Sequence, residues 1–76
     1  MDQSTTERVA GHVRAALARQ RRTGRWLALA VGMSKTTMSR RLNGQQEFGV
    51  NELAAVAAAL GVPIESLFAD DQVRAS

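Results

Sequence analysis

The chain has 76 residues, ten of them Lys or Arg and seven Asp or Glu, with no cysteine and one histidine. That length holds one small globular domain, and the composition excludes a disulfide framework, a thiolate zinc site and a histidine metal cluster. No apolar run approaches the roughly 18 residues of a membrane span.

Alanine supplies thirteen of the thirty-four apolar residues, and the aromatics are Trp26, Phe48 and Phe68. Such a core suits close-packed helices better than a β-sandwich. The expected fold class is therefore all-α, with five short helices. In the first, Val9, Val13, Ala16 and Leu17 form an apolar stripe. It is expected to start near Thr5 or Thr6, with either hydroxyl as cap and Glu7 in the first turn, and to fade at Arg21 and Arg22. Thr23 is the expected N-cap of a second helix over residues 25–31, which Gly32 ends as a left-handed residue. Ser34 caps a third over 35–43, with Met38 and Leu42 inward and Gly44 as its stop. The loop over 45–48 is polar, with Phe48 as a buried anchor. A fourth helix over 50–60 turns Leu53, Val56, Ala57 and Leu60 inward, and Gly61 closes it. Pro63 then opens a short fifth helix carrying Ile64, Leu67 and Phe68.

The whole chain reads as one domain with its core at about 6–69, a helix-turn-helix at 24–43 and a flexible tail at about 70–76. The polar first seven residues carry no signal-peptide pattern, so a cytoplasmic location is expected, nucleoid-associated or in the cytoplasm of a host cell.

Charge divides the chain. Residues 1–45 hold nine basic and two acidic side chains, or +7, and residues 46–76 hold one basic and five acidic, or −4. Nine of the ten basic residues are arginine, the residue type suited to bidentate phosphate or guanine contacts. This asymmetry suggests a face aimed at a polyanion, against the plainer reading of an unevenly charged solvated surface.

Two short helices joined by a three-residue turn that begins with glycine form the sequence pattern of a helix-turn-helix. Ala28 is the small residue where the helices press together. Leu27, Val31, Met33 and Met38 are available to plug the elbow. The outward side of the third helix reads Lys35, Thr36, Ser39 and Arg40, with no acid among them, whereas a solvated helix usually mixes both signs. Lys35 in a first turn opposes the helix dipole, which an anionic partner would offset. Thr36 and Thr37 are poor helix formers, so their hydroxyls or methyls either meet DNA or merely tolerate the site.

The stretch from Leu27 through Gly32, Ser34 and Arg40 to Gly44, followed by Asn51-Glu52-Leu53-Ala54 and by Leu60-Gly61-Val62-Pro63-Ile64, resembles the lambda-repressor-like, Cro/repressor-type helix-turn-helix family over about residues 8–68. The resemblance implies a compact five-helix domain that lays its third helix in the major groove of DNA. By position, Lys35, Thr36 and Arg40 fall where that family meets base edges, with Ser39 on the same side. Ser34, Thr37 and Thr23 fall at phosphate positions, and Asn43 with its following loop lies against the backbone of the same half-site. Where the family often has a phosphate-gripping glutamine, this chain has Gly24, so that contact is lost or passes to Arg25. Arg22 stands at an often apolar position and must snorkel or reach DNA. Arg41 also stands at an often apolar position, and its direction, phosphate or packed stem, is open. Trp26 reads as a packing residue or surface anchor, His12 as a surface or boundary residue, and Met33 and Met38 as core fillers.

The expected function is sequence-specific recognition of double-stranded DNA by a transcriptional repressor of Cro-like or immunity type, such as a phage or prophage regulator. It acts as a homodimer on an operator that is an inverted repeat, since one module reads too short a site. No appended dimerisation domain is seen, so pairing is expected to use the 48–68 region, the tail or the DNA itself. The alternative is an antitoxin or anti-repressor-like interaction module on the same fold. Nothing points to a cofactor, a metal, a membrane or a small-molecule substrate. Without a cysteine, a histidine pair or a Gly-x-x-x-x-Gly-Lys loop, enzymatic chemistry is not expected.

Overall fold

The computed structural model describes residues 3–68. Its first helix, α1 (Gln3–Arg19), buries Val9, Ala10, Val13, Ala16 and Leu17 on one stripe, the spacing that a 3.6-residue period requires. It starts upstream of Thr5, so both threonines lie inside the helix and do not cap it, and Glu7 falls beyond the first turn. It also ends before Arg21, because the chain turns left-handed there (φ 57°). The amides of Arg21 and Arg22 donate back to the carbonyls of Ala18 and Leu17 at 3.1 and 2.8 Å. This is the Schellman pattern usually given to glycine.

Three further helices follow: α2 (Gly24–Val31), α3 (Lys35–Leu42) and α4 (Val50–Leu60). Their limits follow local chemistry. The Thr23 hydroxyl accepts the Trp26 amide at 3.0 Å, and the Ser34 hydroxyl accepts the Thr37 amide at 3.1 Å. Each satisfies a donor that the first helical turn leaves free. Gly44 and Gly61 follow α3 and α4 with left-handed backbone (φ 77° and 69°).

The expected short fifth helix is a 3-10 helix over Ile64–Phe68. Five residues give too few α-type bonds to offset the cost of nucleating a helix, so the tighter form is used. The described residues thus form four α-helices and one 3-10 segment. The tail at about 70–76 lies outside the described residues.

The core forms where all five elements meet. Leu27, Met38, Leu67, Val13 and Val56 are its largest fully buried side chains, joined by Leu17, Phe48, Leu53 and Leu60. Phe48 anchors the loop between α3 and α4, as its place among polar neighbours predicts. α2 packs on α3 and α4, while the 3-10 segment closes the opposite side against α1 and α4. Two side chains from α1 and its end bind helix C-termini. Arg14 donates from Nη1 to the Leu42 carbonyl, and Gln20 donates from Nε2 to the Leu60 carbonyl at 2.8 Å. Among the described residues no polar or charged side chain is fully buried. No helix among them is long and apolar enough to cross a membrane, and no group of three or more His, Asp or Glu could hold a metal.

Candidate nucleic-acid interface

The turn between α2 and α3 is short because Gly32 adopts φ 71°, a conformation that costs a side-chain-bearing residue about 1–2 kcal/mol. The Met33 amide then returns to the Ala28 carbonyl at 2.9 Å. Ala28 is buried at this elbow beside Leu27, and Met38 packs beneath from α3. At the other end of α2, a Cβ built on Gly24 would lie 2.9 Å from Leu42 Cδ1. Glycine at 24 lets the start of α2 approach the end of α3 closely.

This frame leaves one flank of α3 open. Lys35, Thr36, Ser39, Arg40 and Asn43 are all exposed and line a single shallow groove with Gln45. The groove carries two cations and no carboxylate. A second groove, where α1, α2 and α3 meet, brings Arg25 beside Lys35, Ser39 and Asn43, with Arg14 at its edge. Neither α2 nor α3 has an acid in its first turn, so no carboxylate within either turn offsets the positive end of the helix dipole. The hydroxyls of Thr23 and Ser34 accept backbone amides, which leaves each O–H free to donate. Thr37 is half-buried, with its amide taken by Ser34.

Arg41 is placed elsewhere. Its Nε and Nη2 donate to the two carboxylate oxygens of Glu52 at 2.9 and 3.1 Å, and its Nη1 donates to Gln46 Oε1. These bonds hold the Glu52 carboxyl below its ordinary value and raise the Arg41 guanidinium. The Gly49 amide lowers Glu52 further by donating to Oε1 at 2.8 Å. Arg22 is also occupied: its guanidinium carbon lies 4.6 Å from the centre of the Trp26 ring, a cation–π distance.

Of the residues singled out by sequence, the structure brings together Arg25, Lys35, Thr36, Ser39, Arg40 and Asn43, places Thr23 and Ser34 as caps, and turns Arg41 toward α4. Gln45 and Arg14 join the grooves without having been singled out. Gln45 is signalled only by its polarity after Gly44. Arg14 has no local signal, because its partner lies twenty-eight residues away.

The fold is shared with a solved structure described as a hypothetical transcription factor, NHTF, from Neisseria. The match has a TM-score of 0.85 at 22% sequence identity and covers 99% of this chain and 87% of that one. No curated protein matches the chain. The BetR domain matches residues 1–75, nearly the whole length, and the chain belongs to that family.

Proposed function

We propose that the protein is a transcriptional regulator that binds double-stranded DNA sequence-specifically, with α3 in the major groove. The observation that carries this reading is the open flank of α3. Lys35, Thr36, Ser39, Arg40 and Asn43 converge on one groove without a carboxylate, on a helix whose start is capped and whose inner side is anchored by Met38. That flank offers no apolar anchor for a protein partner, which speaks against docking of another protein through α3. The likeness to a fold described as a hypothetical transcription factor supports the same class of function.

In this reading Arg40 and Lys35 reach base edges, arginine to guanine being the commonest specific contact. Thr36 and Ser39 add hydrogen bonds or methyl contacts beside them. Thr23, Ser34, Thr37 and Asn43 meet phosphates with short side chains, and Arg25 takes over the phosphate contact that a glutamine at 24 would make. The finer reading is a repressor of Cro-like or immunity type acting as a homodimer on an inverted repeat. Selection of bound duplexes from a randomised pool at near-physiological salt tests it. The expected result is a short inverted repeat with half-site centres about one helical turn, ~34 Å, apart. A single unrepeated site contradicts the dimer, and retention without sequence preference contradicts specific readout.

A further inference from the structure

Helix α3 is eight residues long and has one fully buried side chain, Met38. Leu42, one turn further on, packs half-buried against the core on the same face. Apolar contacts along one line of a helix fix its rotation less well than base readout needs, with side chains held to within about 0.5 Å and 10–20°. Two polar contacts supply further restraint. Arg14 of α1 holds the Leu42 carbonyl, and Arg41 forks onto Glu52 of α4. The second is directional, because a planar guanidinium and a planar carboxylate meet through two parallel bonds. Glu52 is itself fixed: Oε1 also accepts the Gly49 amide at the start of α4. Gln46, from the intervening loop, takes the remaining edge of the guanidinium. Arg41 and Glu52 together thus tie the end of α3, the loop and the start of α4. The side chain adjoining Arg41 in sequence is Arg40, which lines the open groove.

We propose that the Arg41–Glu52 pair is a positioning clamp that sets the rotation of α3 and thereby the sequence selectivity of the protein, without itself contacting DNA. The clamp spends a cation that charge counting alone assigns to phosphate. It rests on the DNA-binding reading for its effect on selectivity, though not for its effect on the orientation of α3.

The test uses the full chain and the variants Glu52→Gln and Arg41→Lys. Gln at 52 keeps the bond from the Gly49 amide and removes the ion pair, while Lys at 41 keeps the charge and removes the fork. Affinities are measured for the selected duplex and for a random duplex at one salt concentration, and residual dipolar couplings report the orientation of residues 35–42 in the free proteins. Both variants are expected to lower the ratio of specific to random affinity roughly five- to tenfold, comparable to losing one base contact. Random-duplex affinity should hold, and α3 should turn by about 10° or more. Retention of the full ratio by Arg41→Lys overturns the clamp and makes Arg41 a charge donor. An equal gain for both duplexes in Glu52→Gln overturns it too, leaving Glu52 as a mere repulsive charge. Unchanged couplings overturn it whatever the DNA results. A parent chain that retains no duplex overturns the DNA-binding reading and the selectivity effect with it, while the couplings still decide whether the clamp orients α3.

Discussion

Gly24 abuts the side chain of Leu42, with only 2.9 Å between an ideal Cβ at 24 and Leu42 Cδ1. This contact sets how closely the start of α2 meets the end of α3. The Leu42 methyl is the free end of a flexible side chain, so Gly24→Ala is expected to be nearly neutral. Gly24→Val carries a branched Cβ into the same space and is expected to cost about 1–3 kcal/mol, the usual range for overpacking. Urea unfolding of the two variants checks the difference.

Ser34 has two separable roles. Its hydroxyl caps α3 through the Thr37 amide, and in the proposed complex it faces a phosphate. Ser34→Ala is expected to lose about 0.5–2 kcal/mol of stability. Ser34→Asp retains a good cap and suits the helix dipole, but sets a negative charge against the phosphate. Its stability is expected to stay close to that of the parent while DNA affinity falls at least about tenfold, or ~1.4 kcal/mol. Thermal unfolding and DNA titration of the same samples separate the two effects.

Lys35 is exposed in the first turn of α3 and lines both grooves. With Lys35 as a base-edge contact, Lys35→Ala is expected to lower affinity by about 1–3 kcal/mol and relax preference at one base position, with the slope of log affinity against log salt little changed. Titrations at several salt concentrations measure that slope, and a slope lowered by about 1 places Lys35 on a phosphate instead.

Acid should weaken the join between α3 and α4. Glu52 titrates below its ordinary value of 4.5 in the folded chain, chiefly because Arg41 donates to it and then because Gly49 does. As pH falls, the unfolded chain therefore takes up this proton first. The stability from the pair is complete above about 4.5 and is lost as pH drops through that value and past the folded pKa. The pair is partly solvated, with 17% and 32% of the two side chains exposed, so the loss should stay below about 1 kcal/mol. Stability profiles of the parent and Glu52→Gln between pH 3 and pH 6 are expected to converge at the acid end.

Arg21 holds a left-handed conformation, φ 57°, at the end of α1. Arg21→Gly should remove that strain and raise stability by about 0.5–1 kcal/mol, as glycine at such a position commonly does. A fall in stability on denaturant unfolding would show that the arginine side chain contributes more than its backbone costs.

Much of this architecture is legible in the sequence because single residues punctuate it. Thr23, Gly32, Ser34 and Gly61 each do one local job, and the limits of α2, α3 and α4 fall within a residue of where those jobs require. The ends of α1 carry no such mark: neither a glycine nor a proline stands there, and an arginine takes the left-handed position. Partnerships across the fold are not local at all. Arg41 and Glu52 are eleven residues apart, and Arg14 and Leu42 twenty-eight, so no helical periodicity announces either contact. For the same reason the basic count overstates the cations free to meet an anion: Arg41 is paired with Glu52, while Arg14 and Arg22 keep their charge but are held against the Leu42 carbonyl and the Trp26 ring. The fifth element follows Pro63 as the sequence predicts, but its 3-10 form is not legible there, since five residues after a proline do not distinguish α from 3-10.

The central claim is that the open flank of α3 reads DNA bases. Parallel selections from one randomised duplex pool, with the parent and with Arg40→Ala, test it most directly. A defined half-site is expected for the parent, with loss of preference at one base position in the variant and an affinity lower by about 1–3 kcal/mol. Recovery of the same sequence pattern with the same affinity by both proteins would contradict it.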